Sequence, residues 1–111
     1  FYKYYLFSNH QIKRTLIMSY VRMNYFEYIS EEAADELEAQ YVQNAPINFQ
    51  DAIALVFLRT GPKTASLTSV YPDQATFEES AAQRKKGLAG IADKIKDVRS
   101  EEGQAALALI K

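Results

Sequence analysis

The side chains best suited to chemistry in this chain are polar groups that sit among large aromatic residues in strand-like segments. Arg22 and Asn24 alternate with apolar positions in SYVRMNYFEYI, and Arg59 ends the run ALVFLR. A guanidinium or an amide can hold an oxyanion or a carboxylate, and aromatic rings supply an apolar wall. We therefore predict a pocket for an apolar or aromatic small molecule, with no residue assigned a catalytic role. The candidate pocket residues are Arg22, Asn24, Phe26, Tyr28, Phe57, Arg59, Ser66, Thr68 and Tyr71.

Each polar candidate also has an ordinary structural interpretation. Arg22 and Asn24 need hydrogen-bond partners in mid-strand, and bonds between two subunits satisfy them as well as a ligand does. Arg59 fits a solvated charge at the end of a strand. Tyr28 and Tyr71 fit amphipathic residues at the edge of a core.

Composition excludes several classes of site. The chain has no Cys, which removes thiolate nucleophiles, disulfides and Cys-ligated zinc or iron-sulfur centres. Its single His is His10, and the acidic series that begins at Glu31 lies at a helix start, where it complements the helix dipole. The formal net charge of -1 gives no field to attract nucleic acid. We expect no metal, no cofactor and no nucleic-acid partner.

The segment from Ala52 to Pro72 contains two alternating runs around Gly61-Pro62 and predicts an antiparallel hairpin. If Thr60 pairs with Lys63, Phe57 faces Ser66. That register puts Ala54, Val56, Leu58, Ala65 and Leu67 on a helix-covered face. The other face then carries Ile53, Leu55, Phe57, Arg59, Thr64, Ser66 and Thr68.

Two further elements precede the hairpin. β-branched and aromatic residues from Ser19 to Ile29 predict a strand. Ser30 is a suitable N-cap for a helix from about Glu31 to Gln43, which Pro46 is expected to end.

Two more elements follow the hairpin. Asp73 can cap a second helix that runs to about Lys96, with Phe77, Leu88 and Ile95 on its apolar stripe and Arg84 pointing outward. The run from Gln104 to Ile110 predicts the last strand.

The order β, α, β, β, α, β predicts an α+β, ferredoxin-like fold: a four-stranded antiparallel sheet with two helices on one face. The other face is left bare. A patch of Phe26, Ile53, Leu55, Phe57 and Val70 would expose on the order of 500 Å² of apolar surface, which is large for a monomer. We therefore expect a homodimer in which two sheets face each other as an α+β barrel around Arg22, Asn24, Arg59, Ser66 and Thr68.

The chain divides at Met18. Residues 1–17 have three basic residues, no acidic residue and crowded aromatics, and we interpret them as an extension of uncertain role that can seek a groove or a strand edge. Residues 18–111 form the predicted domain. No apolar run approaches the roughly 20 residues of a membrane span, and polar residues interrupt the first segment too soon for a signal peptide. We expect a cytoplasmic protein without a membrane partner.

The strand-helix opening from Met18, the hairpin and the tail GQAALALIK resemble the antibiotic biosynthesis monooxygenase type of dimeric α+β barrel, over residues 18–111. The most recognisable part is SVYPDQATFEES, which is similar to a strand-turn-helix pattern of that superfamily. The resemblance implies a homodimer with a pocket either between each sheet and its own helices or inside the shared barrel. For cofactor-free oxygenases it implies polar groups in the cleft, for which Asn24, Tyr28, Arg59 and Tyr71 are candidates.

Three functions remain open at this point. The first is a homodimeric barrel that binds an apolar or aromatic small molecule. The second is a cofactor-independent monooxygenase or a related enzyme, although the chain has no Trp and its only His lies outside the matched segment. The third is a purely structural or interaction protein without a ligand cavity.

Overall fold

The computed structural model describes residues 19–109, and these residues form one four-stranded antiparallel sheet with helices on one face. Residues 1–17, interpreted above as an extension, lie outside the described residues, as do Met18, Ile110 and Lys111. The strands are β1 (Tyr20–Tyr28), β2 (Ala54–Gly61), β3 (Thr64–Tyr71) and β4 (Ile95–Gln104). The helices are α1 (Glu31–Asn48), α2 (Gln74–Glu79) and α3 (Ala81–Ile91), followed by a 3-10 turn at Ala92–Lys94.

The strand order is β2-β3-β1-β4 and every neighbouring pair is antiparallel, which confirms the predicted ferredoxin-like fold. The core lies between the sheet and the helices. It is built from Phe26 and Tyr28 of β1, Ala65 of β3, and the α1 residues Ala33, Ala34 and Leu37.

Helix α1 is longer than the sequence predicted. Its start is as expected, because the Ser30 hydroxyl accepts a hydrogen bond from the Ala33 N–H at 3.0 Å. Pro46, however, lies inside the helix and does not end it. Ala45 is buried, and the Phe49 N–H donates to the Ala45 carbonyl at 2.9 Å, so packing and a closed last turn outweigh the missing proline donor.

The end of the chain differs most from the prediction. The second helical segment breaks at Ser80 and ends at Ile91, and the last strand is Ile95–Gln104 rather than Gln104 to Ile110. β4 is an edge strand rich in exposed polar residues, and Ile91, Ile95 and Val98 have a spacing that also suits a helix. The apolar alternation that follows Gln104 lies beyond the strand, where the Ala105 N–H donates to the Ser19 carbonyl at 2.8 Å.

The predicted hairpin exists, but its predicted register was wrong by one residue. Gly61 pairs with Thr64, the ladder shifts between Arg59 and Gly61, and Phe57 therefore pairs with Leu67 instead of Ser66. Because side chains alternate along a strand, a slip of one residue moves every β2 side chain to the opposite face of the sheet relative to β3.

The corrected register changes which residues share each face of the sheet. Phe57 joins Leu67, Phe26 and Ala65 on the helix-covered face, since Asn24 pairs with Leu67 and Phe26 with Ala65. The prediction that Phe26 and Phe57 form a bare patch was therefore wrong. The bare face, called the open face below, carries Val21, Met23, Tyr25, Ala54, Val56, Leu58, Ser66, Thr68 and Val70.

Candidate functional site

A cavity of about 440 Å³ lies between the helix-covered face of the sheet and the inner sides of α1 and α3. Its floor comes from alternate residues of β1, β2 and β3, which point to one side because side chains in a strand have a period of two. Its roof includes Leu37, Tyr41 and Ala45 of α1 with Arg84 and Gly87 of α3. Such a volume falls in the range typical of small-molecule sites.

Six of the nine candidate residues line this cavity: Arg22, Asn24, Phe26, Tyr28, Phe57 and Tyr71. The sequence predicted Arg22, Asn24, Phe26 and Phe57 on the face that meets a second subunit, and the structure places them instead between the sheet and its own helices. This location is the first of the two that the resemblance implied. Ser66 and Thr68 do not join them, because they alternate with Ala65 and Leu67 and so lie on the open face.

Arg59 has a separate role at the hairpin end. Its guanidinium donates to Asp35 Oδ1 at 2.9 Å and to Glu38 Oε1 at 3.0 Å, both on α1. It also donates to the carbonyls of Gly61 at 2.7 Å and Pro62 at 2.8 Å. Arg59 thus ties the β2-β3 turn to α1 and does not line the cavity.

Aromatic rings form one wall of the cavity. The Tyr41 ring lies 5.3 Å from that of Phe57 and 6.3 Å from that of Phe49, centroid to centroid. Tyr71 packs edge-on against Phe77 at 5.3 Å. Because Tyr41, Phe49, Phe57 and Tyr71 line the cavity, a planar apolar ligand there would contact aromatic rings.

Two tyrosine hydroxyls are buried in this region without a hydrogen-bond partner among residues 19–109, those of Tyr41 and Tyr71. Burial raises the pKa of Tyr41, with a smaller contribution from Tyr71. Burial also raises the pKa of Tyr28. Protonated phenols at neutral pH can donate to an oxygen atom of a ligand.

A small polar network covers the β1 side of the cavity. Arg22 donates from Nε to Asn24 Oδ1 at 3.2 Å and from Nη2 to Ser100 Oγ at 3.4 Å. The Ser100 hydroxyl donates to the same Asn24 oxygen. The amide and the hydroxyl fix the Arg22 guanidinium without neutralising its charge.

Arg84 lies on the cavity side of α3, which contradicts the outward direction predicted for it. Its guanidinium carbon lies 3.6 Å from the centroid of the Phe77 ring, and Nη2 donates to the Phe77 carbonyl at 3.0 Å. Nε and Nη1 are buried and have no hydrogen-bond partner within the described chain. Burial lowers the pKa of Arg84, and the nearby charge of Arg22 adds to that effect.

Sequence reasoning also missed Tyr41 and Ser69 as lining residues. Tyr41 follows Leu37 at helical spacing in the sequence, which indicates the covered side of α1 but not a cavity. No Asp, Glu or His is among the described residues that line the cavity. Over residues 19–109, no group of three His, Cys, Asp or Glu side chains is placed to hold a metal ion, and no helix has the length and apolarity needed to cross a membrane.

Comparison with known proteins identifies the fold. No family model and no curated protein matches the chain. A protein of unknown function from Nitrosomonas europaea superposes with a TM-score of 0.70 at 16% identity, over 88% of this chain and 97% of that one. A mutant form of SnoaB, a cofactor-independent oxygenase from Streptomyces nogalater, gives 0.68 at 15% identity over 84% and 98%.

A dimeric ferredoxin-like protein from an uncultured marine organism gives a TM-score of 0.66 at 8% identity, over 85% of this chain and 93% of that one. Structures assigned to the antibiotic biosynthesis monooxygenases are also among the matches. The chain therefore has the ferredoxin-like fold that the sequence resemblance implied, and at these identities the likeness establishes the fold alone.

Proposed function

We propose that this protein binds a planar aromatic small molecule in the cavity between its sheet and its helices. The observation that carries the proposal is the cavity of about 440 Å³ with Tyr41, Phe57 and Phe26 on its walls. An apolar pocket with a few convergent polar groups is the usual form of a small-molecule site. A purely structural protein, the third function left open by the sequence, has no need of such a space.

The test is binding of the neutral fluorescent probe N-phenyl-1-naphthylamine, with two variants of α3. Gly87 lines the cavity and Gly90 does not, and a Cβ at either position meets no atom within 4 Å. Gly87→Phe is expected to fill part of the cavity and weaken probe binding about tenfold, or roughly 1.4 kcal/mol. Gly90→Phe makes the same change on the same helix and is expected to leave binding within about twofold, well under 1 kcal/mol.

Equal probe affinity in both variants would show that the probe binds elsewhere, for example on the open face, and would contradict the proposal. Absence of any probe binding by the unmodified protein would contradict it as well. Circular dichroism of both variants checks that α3 is intact.

We also propose that the protein is a homodimer, as the sequence predicted, but through a different set of residues. The open face carries Val56 and Leu58, whose exposed fractions are 58% and 56%. Burying such a patch against a second copy is favourable at about 25 cal/mol per Å² before the costs of association. A protein of the same fold is described as dimeric, which supports self-association.

A cofactor-independent oxygenase remains the second candidate, favoured by the unpartnered hydroxyls of Tyr41 and Tyr71. In that reaction a CH₂ group conjugated to a carbonyl through an aromatic ring loses a proton to water and its carbanion reduces O₂, so that CH₂ and O₂ become C=O and H₂O. The two phenols would donate to the enolate oxygen as it forms. Oxygen uptake with anthrone, lowered in Tyr41→Phe and Tyr71→Phe, is the expected result, and no uptake with anthrone or quinols would exclude this candidate.

We propose a cytoplasmic location as well, on the sequence grounds given above, to be checked by fractionation of cells that express the full chain. A signal confined to the membrane or external fraction would contradict it.

A further inference from the structure

The charges around the cavity are unbalanced. Arg22, Arg84 and Lys85 line it, and no carboxylate among residues 19–109 does so. Within the same residues, neither Arg22 nor Arg84 makes an ion pair within 4.0 Å. A partly buried guanidinium without a counter-charge is costly, because desolvation penalises the charged form.

Arg59 has a structural role, and its hydrogen bonds provide a comparison for those of Arg84. Its guanidinium makes four hydrogen bonds, two to carboxylates and two to carbonyls. Arg84, in contrast, gives one hydrogen bond to a carbonyl, and its Nε and Nη1 donors are buried without partners in the described structure. Within the described residues, the difference leaves Arg84 with two unsatisfied donors, which a group in the cavity would reach once the guanidinium turns away from the Phe77 ring.

Arg22, like Arg84, has no charged hydrogen-bond partner among the described residues. Its acceptors are the side chains of Asn24 and Ser100, which are neutral. The neighbouring carboxylate is that of Glu102, which pairs with Arg22 across β1 and β4, accepts a hydrogen bond from the Tyr20 hydroxyl at 3.0 Å and interacts electrostatically with Arg84. Within the described residues it does not line the cavity and makes no ion pair with either arginine. Arg22 and Arg84 both line the cavity, and the charge of Arg22 contributes to lowering the pKa of Arg84.

The Tyr41–Phe57 part of the aromatic wall lies apart from Arg22. Phe57 lies on β2, and Arg22 lies on β1, which is two strands away in the order β2-β3-β1. Neighbouring strands are separated by about 4.8 Å, so the two regions are roughly 10 Å apart. A bicyclic aromatic ring system with a polar substituent at one end spans most of that distance.

We infer that the ligand is an aromatic carboxylate, with its ring against Tyr41 and Phe57 and its carboxylate held by Arg22 and Arg84. The inference rests on the proposed function and adds the charge of the ligand to it. Guanidinium groups are well suited to carboxylates, since their donors match the acceptor oxygens in a plane.

The experiment compares 2-naphthoate with 2-naphthamide, which have nearly the same shape and differ in charge at neutral pH. Titration calorimetry of the full-length protein at low ionic strength is expected to show naphthoate binding about tenfold more tightly, as a charge-assisted hydrogen bond predicts. Arg84→Met and Arg22→Met are each expected to reduce this preference to about threefold or less, because naphthoate loses more affinity than naphthamide does.

Lys86→Met is the matched control. It removes the same charge from α3, next to Lys85, at an exposed position that does not line the cavity. The naphthoate preference is expected to persist in it, so a loss there would point to general electrostatic attraction and overturn the inference.

Other outcomes separate the two proposals. If unmodified protein binds naphthamide as tightly as naphthoate, the anionic site is refuted and the aromatic pocket stands. If neither compound binds and N-phenyl-1-naphthylamine also fails, the proposed function is refuted, and the inference with it. If N-phenyl-1-naphthylamine binds but 2-naphthoate and 2-naphthamide do not, the inference alone is overturned.

Arg84→Lys replaces Arg84→Met if the latter unfolds, because lysine keeps the charge but lacks the planar donors. If naphthoate affinity is unchanged in both Arg84→Lys and Arg22→Met, the anionic site is contradicted.

Discussion

Truncation of Leu37 tests whether the space beside α1 is a real cavity in a packed core. Leu37 is 5% exposed, belongs to the core cluster and lines the cavity. Leu37→Ala removes about three carbon atoms, which corresponds to about 2.4 kcal/mol at roughly 0.8 kcal/mol per methylene. A fully enclosed leucine costs more, up to about 5 kcal/mol, because a new void forms around it.

Leu37 already borders an open space, so the side chain has fewer contacts to lose on that side. We therefore expect a loss of about 2–3 kcal/mol in the free energy of unfolding, and a melting temperature lower by roughly 10–20 °C for a domain of this size. Urea denaturation followed by circular dichroism measures the change. Val42→Ala on the same helix is the control, since Val42 is 66% exposed and its truncation should cost less than about 0.5 kcal/mol.

A loss above about 4 kcal/mol would mean that Leu37 is enclosed on all sides and that the cavity is smaller than described. Equal effects of Leu37→Ala and Val42→Ala would mean that α1 does not pack on the sheet through Leu37. Either result refutes the reasoning about the site.

Three other predictions concern α3, the buried phenol and the open face. Gly87→Ala and Gly90→Ala should each raise the free energy of unfolding by about 0.5–1 kcal/mol, since a Cβ fits at both positions, and a lower melting temperature would reveal a close contact there. Burial raises the pKa of Tyr41, so its contribution to stability is complete below the unfolded-state pKa of about 10 and is lost as the pH rises through the folded-state value. Tyr41→Phe should therefore flatten the alkaline loss of stability in denaturant titrations from neutral pH to about pH 11, and an unchanged slope would argue against burial of the phenol. Val56→Lys with Leu58→Lys should convert a dimer to a monomer in light scattering, whereas a monomeric unmodified protein would exclude self-association through the open face.

The element order was readable from the sequence because its strongest signals are local. Alternation in SYVRMNYFEYI, the cap at Ser30 and the hairpin around Gly61-Pro62 each depend on a few neighbouring residues. These signals suffice for the ferredoxin-like topology, since right-handed connections leave few ways to assemble it.

The register of the hairpin could not be read in the same way. Gly61-Pro62 marks a turn, but the shift between Arg59 and Gly61 depends on how the turn packs against α1, where Arg59 meets Asp35 and Glu38. The last strand was missed for a related reason. β4 is polar and lies at the edge of the sheet, so the β1 backbone fixes its position more than its own hydrophobic pattern does.

The faces that β1 and β2 turn toward the helices decide how the two proposed surfaces relate. In the predicted arrangement, pocket and dimer interface share one face, so ligand binding and self-association would depend on the same residues. In the structure, Arg22 and Phe57 face the cavity, whereas Val56 and Leu58 face away from it. Ligand binding should then survive substitutions on the open face that abolish the dimer. A loss of both together would show that the cavity is complete only when two copies meet.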